Sequence, residues 1–215
     1  MRLGLFGGTF NPIHHGHLRA GIEIREAFDL ERVLYLPAAV PPHKEVQGLL
    51  PFAERLKMVR LAVAGQKHLQ ASDAERKNPG KSYSIRTVQY FHRTLPREGE
   101  LFFILGLDAF LEITSWKEYR RLFTLCHFIV LDRPGYSRRH LGDFLYREIS
   151  PDFTADPRQG RYRHPGGLSV YFRPVTRLEI SSTFIRRLRR EGRSIRFLVP
   201  EAVEEYLIKK GFYGA

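Results

Sequence analysis

Short apolar runs alternate with amphipathic segments along this chain, and that alternation restricts its fold more than any other feature. Leu3-Gly4-Leu5-Phe6, Arg32 to Leu36, Glu100 to Leu105, His127 to Leu131 and Leu168 to Phe172 read as strands, with His68-Leu69-Gln70-Ala71 a weaker one. Leu18 to Phe28 has helical spacing, with Leu18, Ile22 and Ala27 on its inner face. Phe52 to Gly65 repeats that pattern through Leu56, Val59 and Val63, and Gly65 stops it. Ser82-Tyr83-Ser84 suits a helix start, because a hydroxyl can cap orphan N–H groups, and Ile85, Val88 and Phe91 continue the helix. Helical spacing returns from Phe110 to Phe123, and Pro200 to Lys210 forms a last helix. Strands that stay apolar throughout indicate a mainly parallel sheet covered by helices on both faces, an α/β architecture. At 215 residues the chain fits one domain over 1–215. An irregular, partly helical insertion is expected at about 136–167 and a C-terminal helical part at 181–215.

No apolar run approaches the roughly 20 residues that span a bilayer, and no signal-peptide pattern opens the sequence, so a cytoplasmic protein is expected. The one cysteine, Cys126, lies in the apolar run Leu125 to Leu131 and reads as a buried structural thiol. Lysine and arginine number 35 against 23 acidic residues, a net charge of +12. Such a balance calls for an anionic partner, either nucleic acid or a small phosphate-rich substrate. The excess is spread over Arg138-Arg139, Arg158 to Arg163 and Arg186 to Arg196, so charge alone does not choose.

The loop after the first strand chooses. It reads Gly7-Gly8-Thr9-Phe10-Asn11-Pro12-Ile13-His14-His15-Gly16-His17-Leu18. Two glycines after a strand let the backbone approach a ligand closely. His14 and His17, three apart, fall at the start of the following helix, where backbone N–H groups already favour an anion. In parallel sheets ligands sit beyond the carboxyl ends of the strands. Those ends here carry Gly7-Gly8-Thr9, the loop Pro37 to Lys44, Gly106-Leu107-Asp108 and Arg133-Pro134-Gly135. A second anion feature, Ser181-Ser182-Thr183, opens a basic helix with Arg186 one turn on. The chain has no cysteine nucleophile, no Gly-x-Ser-x-Gly elbow, no zinc-type spacing and neither standard nucleotide-binding glycine motif. Imidazoles, hydroxyls, backbone N–H groups and cations suit phosphoryl or nucleotidyl transfer, which needs mainly positioning and stabilisation of charge.

Gly-Gly-Thr-Phe-Asn-Pro-Ile-His-His-Gly-His-Leu resembles the (H/T)xGH signature of the nucleotidylyltransferase superfamily, and Ile180-Ser-Ser-Thr-Phe-Ile-Arg186 is similar to its second signature. Within the superfamily the chain most resembles the bacterial nicotinate mononucleotide adenylyltransferases. Pro-Pro-His-Lys at 41–44, Ser-Tyr-Ser at 82–84, Gly-Leu-Asp at 106–108, Trp116 and Arg-Pro-Gly at 133–135 carry that narrower likeness, in family order over nearly the whole chain.

The resemblance implies a Rossmann-like, doubly wound fold. It also implies transfer of an adenylyl group from ATP to nicotinate mononucleotide, giving nicotinate adenine dinucleotide and pyrophosphate in NAD biosynthesis. Mg2+ is expected on the ATP phosphates, with no metal held by protein side chains and no tightly bound organic cofactor. Carried over, His14 and His17 are the catalytic pair, stabilising charge at the α-phosphate. Gly7, Gly8, Thr9, Phe10, Gly106, Asp108, Ile180, Ser181, Ser182 and Arg186 complete the ATP-binding set, with Asp108 on a ribose hydroxyl and Ser181, Ser182 and Arg186 on the outer phosphates. Lys44, Tyr83, Ser84, Trp116 and Arg133 form the mononucleotide set, with Trp116 stacked on the pyridine ring. A homo-oligomer is compatible with the family.

Two positions depart from the family pattern. Asn11 stands where an aspartate is usual, and Ser84 stands where a threonine is expected. His15 takes the variable position of the motif and is expected to be structural or exposed. Rival acceptors are nicotinamide mononucleotide and phosphopantetheine, although the phosphopantetheine branch usually has threonine where this chain has His14. A basic nucleic-acid-binding module is the alternative of a different class, and steep salt dependence would mark it.

Overall fold

A computed structural model describes residues 1–39, 48–77, 82–132 and 138–214. Along the chain the elements are β1 (Arg2–Gly8), α1 (His15–Ala27), β2 (Arg32–Pro37), α2 (Phe52–Ala62), β3 (Leu69–Ala71), α3 (Ser84–Thr94), β4 (Glu100–Gly106), α4 (Leu107–Leu111), α5 (Tyr119–Leu122), β5 (His127–Leu131), α6 (Arg138–Phe144), β6 (Thr154–Asp156), β7 (Arg161–Arg163), β8 (Ser169–Arg173), α7 (Ser182–Arg190) and α8 (Glu201–Lys209). They fall into two compact units. The first comprises residues 1–7, 29–31 and 83–175, and the second residues 8–28, 32–82 and 176–215.

The first unit is organised by β4, whose residues 101–105 are all buried. It pairs in parallel with β1, placing Leu5 beside Phe103, and with β5, placing Phe103 beside Phe128. The next strand, β8, is also parallel to β5, which explains why these strands are apolar without alternation. Phe110, Phe123 and Phe128 pack edge to face or tilted, with centroids 5.0–6.3 Å apart. A histidine enters this core with its partners supplied. The ring of His127 stacks on Phe102 at 4.9 Å, and its Nδ1 accepts the Ser169 N–H at 3.0 Å. Cys126 is buried as expected, and burial pushes its thiol pKa up.

Several sequence expectations need correction. Phe110 to Phe123 is not one helix: it breaks into α4, a 3-10 turn at Ile113–Ser115 and α5, and Glu118 adopts a left-handed backbone with φ 53°. The segment after residue 137 is more ordered than its sequence suggests. α6 continues as a π-helical turn over Leu145–Ile149, and β6 and β7 form an antiparallel hairpin that extends the sheet beside β8. Tyr162 points inward there between exposed or half-buried arginines, and its hydroxyl donates to the Arg138 carbonyl. The helix after Ser82 is not capped by a hydroxyl. Tyr83 occupies the cap position, and Ser82 Oγ instead accepts the Ala39 N–H at 2.8 Å.

In the second unit β2 and β3 pair in parallel, with Val33 beside Leu69 and Tyr35 beside Ala71. α2, α7 and α8 bury Leu56, Met58, Val59, Ile185, Leu188, Val203 and Leu207. Ala27 of α1 is exposed, and that helix buries Ala20, Gly21 and Ile24 instead. Its inner face is rotated because Gly21 lies against Tyr35. A Cβ on Gly21 would come 1.9 Å from the Tyr35 hydroxyl and 2.9 Å from Cζ. That hydroxyl donates to the His17 carbonyl at 3.1 Å, so the close approach joins β2 to the first turn of α1. Gly21→Ala should therefore cost about 1–3 kcal/mol, as overpacking of a full site does. Urea denaturation will measure it, and an unchanged midpoint would show that the Tyr35 ring has room to retreat.

Candidate functional site

The loop from Gly8 to His14 is shaped by packing before any ligand is considered. Phe10 adopts a left-handed backbone with φ 48°, which folds its ring back over Gly8. A Cβ on Gly8 would lie 2.8 Å from that ring. The ring is buried and meets His17 edge-on at 5.0 Å and Tyr35 at 5.7 Å. Phe10 thus supports His17 from below. Any contact that it makes to a nucleotide would come from its backbone.

His14 caps α1 in extended conformation, and its ring stacks on that of His17 with centroids 3.7 Å apart. His17 Nδ1 accepts the His14 backbone N–H at 3.3 Å. That bond fits the neutral tautomer with the proton on Nε2, which makes Nε2–H a donor on the first turn of α1. His15 is half-buried, and its N–H donates to the Leu198 carbonyl, a structural position.

The second signature reaches the first by direct hydrogen bonds. Ser181 caps α7 by accepting the Phe184 N–H at 3.1 Å. Ser182 Oγ donates to the Pro12 carbonyl at 2.8 Å. Arg186 donates to the Asn11 carbonyl at 2.8 Å and to Thr183 Oγ1 at 3.1 Å. Two of the five guanidinium donors are thereby used. Ile180, half-buried, donates its N–H to the Leu178 carbonyl. Gly8, Thr9, Phe10, His14, His17, Ile180, Ser181, Ser182 and Arg186 all belong to the second unit, and within it the structure brings the two signatures together.

Sequence reasoning missed the residue that holds this loop. Arg55 of α2 is completely buried and donates to three backbone carbonyls: Leu50 at 2.9 Å, Thr9 at 2.8 Å and Ala39 at 3.1 Å. Burial pushes its pKa down, opposed by Tyr213. The only signal was an arginine next to Leu56 on an otherwise apolar helix face. Asn11 was also undervalued. Its buried amide donates to the Gly48 carbonyl at 3.1 Å and accepts the Leu50 N–H at 3.2 Å and the Tyr213 hydroxyl.

The remaining described site residues lie in the first unit. Gly7, one residue before the end of β1, lies against the Phe103 ring, which a Cβ would meet at 3.0 Å. Gly106 closes β4 and caps α4, and Asp108 is exposed in the first turn of that helix. Trp116 is half-buried in extended backbone after the 3-10 turn, with its ring edge-on to Phe103 at 6.1 Å. Tyr83 and Ser84 open α3, both half-buried. The Tyr83 ring carries two cations, Lys117 Nζ at 5.0 Å and the Arg86 guanidinium at 5.5 Å, which sequence reasoning did not single out. Lys44 and Arg133 lie outside the described residues. Among the described residues no three His, Cys, Asp or Glu side chains group as metal ligands, and no helix is long and apolar enough to cross a membrane.

The sequence model of the family described as cytidylyltransferase-like matches residues 5–188. A protein of Geobacter metallireducens named "Probable nicotinate-nucleotide adenylyltransferase" is 46% identical over 213 residues, covering 99% of this chain and 98% of that protein. One of the same name from Geotalea daltonii is 48% identical with the same coverage. The chain belongs to the cytidylyltransferase-like family, among its nicotinate-nucleotide adenylyltransferases. Among solved structures, Plasmodium falciparum nicotinic acid mononucleotide adenylyltransferase complexed with NaAD is similar with a TM-score of 0.73 at 18% identity, covering 99% of this chain and 97% of that one. This likeness shows the fold: Rossmann-like, with a mainly parallel sheet and helices on both faces.

In this family member Arg55 is the internal support of the signature loop, and its removal is the direct test of that support. Arg55→Leu leaves three carbonyls without their donor and should cost on the order of 3 kcal/mol, since each unsatisfied buried acceptor costs about 1–3 kcal/mol. Denaturant melts will measure it. A loss below about 0.5 kcal/mol, the size of an ordinary surface change, would show that water replaces the guanidinium.

Proposed function

We propose that this protein transfers the adenylyl group of ATP to nicotinate mononucleotide, producing nicotinate adenine dinucleotide and pyrophosphate for NAD biosynthesis in the cytoplasm. Family membership over the full chain supports the reaction. The observation that carries the site is the pair of hydrogen bonds from Ser182 to Pro12 and from Arg186 to Asn11. They join the loop before α1 to the start of α7, which supports reading the two helix starts as one site for phosphate.

In the reaction an oxygen of the mononucleotide phosphate attacks the α-phosphorus of ATP. A new P–O bond forms as the bond to the β-phosphate bridging oxygen breaks, and pyrophosphate leaves with that electron pair. The attacking phosphate is already ionised at neutral pH, so no protein base is needed. Nε2–H of His17, fixed as a donor by the His14 N–H, stabilises charge developing on the α-phosphate, with His14 stacked behind it. The start of α7, with Ser181, Ser182 and the unused donors of Arg186, holds the outer phosphates. Magnesium arrives with ATP as part of the substrate, held by phosphate oxygens. The local donor set fits this assignment, since it consists of imidazoles, hydroxyls and a guanidinium suited to anions rather than to a cation. Burial lowers the Arg186 pKa, yet a guanidinium keeps its charge near neutral pH.

Gly7, Gly8, Thr9 and the Phe10 backbone follow the nucleotide, Ile180 flanks the second signature, and Gly106 and Asp108 contact the adenosine, with Asp108 on a ribose hydroxyl. Trp116 stacks on the pyridine ring, and Tyr83 and Ser84 lie near its carboxylate, with Lys44 and Arg133 on substrate phosphate. Arg86 and Lys117 at the Tyr83 ring create a positive field that favours a ring bearing a carboxylate over one bearing an amide. The excess of basic residues, spread along the chain, suits two anionic substrates better than it suits one nucleic-acid strip.

A coupled assay of pyrophosphate release with ATP and each mononucleotide tests the reading. We expect turnover with nicotinate mononucleotide and a lower kcat/KM with nicotinamide mononucleotide; a preference for the amide would overturn the acceptor. His17→Ala should lower kcat about 10²–10³-fold, the usual loss for one preorganised donor. Near-normal turnover in that variant would remove His17 from the chemistry.

A further inference from the structure

We propose that Tyr213, near the C-terminus, is a positioning residue for the phosphate site, its hydroxyl holding Asn11 so that the Asn11 carbonyl can hold Arg186. The inference rests on the adenylyl-transfer reading for its kinetic readout and on geometry for the rest. α8 ends in a turn that reverses the chain: the Gly211 N–H donates to the Ile208 carbonyl, and the Phe212 N–H donates to the Leu207 carbonyl. Gly211 is left-handed there, as this helix ending requires, with φ 64°. Phe212 then packs edge-on to Tyr206 at 6.2 Å, and the Tyr206 hydroxyl donates to the Glu54 carboxylate on α2. The tail is thereby tied to α8, and through it to α2, before Tyr213.

Tyr213 itself is left-handed, φ 59°, a conformation that a bulky residue keeps only when its surroundings hold it there. What it reaches is the Asn11 side chain. Burial pushes the Tyr213 pKa up against the opposing influence of Arg186 and Arg55, so the phenol stays protonated and donates. Asn11 Oδ1 then has both lone pairs in use, from Tyr213 and from the Leu50 N–H, while Nδ2 donates to Gly48. This accounts for the amide at position 11. A carboxylate would keep the two acceptor bonds and turn the third into repulsion between Oδ2 and the Gly48 carbonyl. With its side chain clamped at three points, the Asn11 carbonyl is fixed where Arg186 Nη1 meets it at 2.8 Å.

Tyr213→Phe removes the hydroxyl and keeps the ring. We expect the KM for ATP to rise about three- to tenfold, the ratio that one lost hydrogen bond supplies. The KM for the mononucleotide should stay as in the parent, and the melting temperature should fall by only about 2–4 °C, the shift that one lost hydrogen bond allows in a chain of this size. Amide exchange over residues 9–14 should quicken. In an Asn11→Ala background the same substitution should add nothing, because the partner is gone. An unchanged ATP KM with unchanged exchange overturns the proposal. So does a rise that persists in the Asn11→Ala background, or one shared by both substrates together with a fall in melting temperature well beyond that of one hydrogen bond. If the parent protein transfers no adenylyl group, the functional reading fails, and exchange over residues 9–14 alone decides the role of Tyr213.

Discussion

The proposed phosphate site depends on two hydrogen bonds between segments 170 and 175 residues apart: Ser182 Oγ to the Pro12 carbonyl and Arg186 to the Asn11 carbonyl. Both acceptors belong to a loop that would otherwise present exposed carbonyls where an anion must bind. Pairing those carbonyls with donors turns them away from the ligand and leaves N–H and imidazole groups as the polar surface. The result is mutual dependence, since each signature supplies part of what fixes the other. That dependence explains how residues so remote in sequence serve one site.

Arg55 applies the same logic from inside. A buried guanidinium that is bonded to neutral carbonyls instead of a carboxylate is normally expensive. Here three carbonyls from three loop positions, Thr9, Ala39 and Leu50, surround it in the fork geometry that only arginine supplies. Each carbonyl gains a charge-assisted bond, and the cation gains partners in exchange for its water. The surrounding loops are thus fixed by a positive group. Its charge has the sign that a site for polyphosphate tolerates, whereas a buried carboxylate in the same role would oppose the substrate.

Much of this was legible in the sequence for identifiable reasons. The strands β1, β2, β4 and β5 are continuous apolar runs that only a doubly covered parallel sheet accommodates, and α7 announced itself through Ser181 at its start. The two signatures were legible because close backbone approach and anion binding restrict residue types at fixed spacing. Other features were not. Phe110 to Phe123 has helical spacing, yet Glu118 turns left-handed, and periodicity cannot see a backbone break made by a non-glycine residue. The β6–β7 hairpin has three-residue strands, too short for an alternation to register. Ser82 looked like a cap because local propensity favours one, but a tertiary partner, the Ala39 N–H, took the hydroxyl. Arg55 and Tyr213 are single residues whose importance lies wholly in long-range contacts.

Asn11 shows how a departure from family pattern becomes intelligible once its neighbours are known. Read along the chain, an amide in place of a carboxylate is the loss of a charge. In the fold the amide is the one group of that size with both an acceptor for two donors and a donor for one acceptor, and its neighbours supply that complement: Leu50 N–H, Tyr213 hydroxyl and Gly48 carbonyl. Neutrality has a second consequence. Asn11 lies buried, bonded through its own carbonyl to Arg186, a residue proposed to hold polyphosphate. A carboxylate there would draw that guanidinium toward the loop by charge. A carbonyl and an amide hold it by geometry and leave its full charge for an anion.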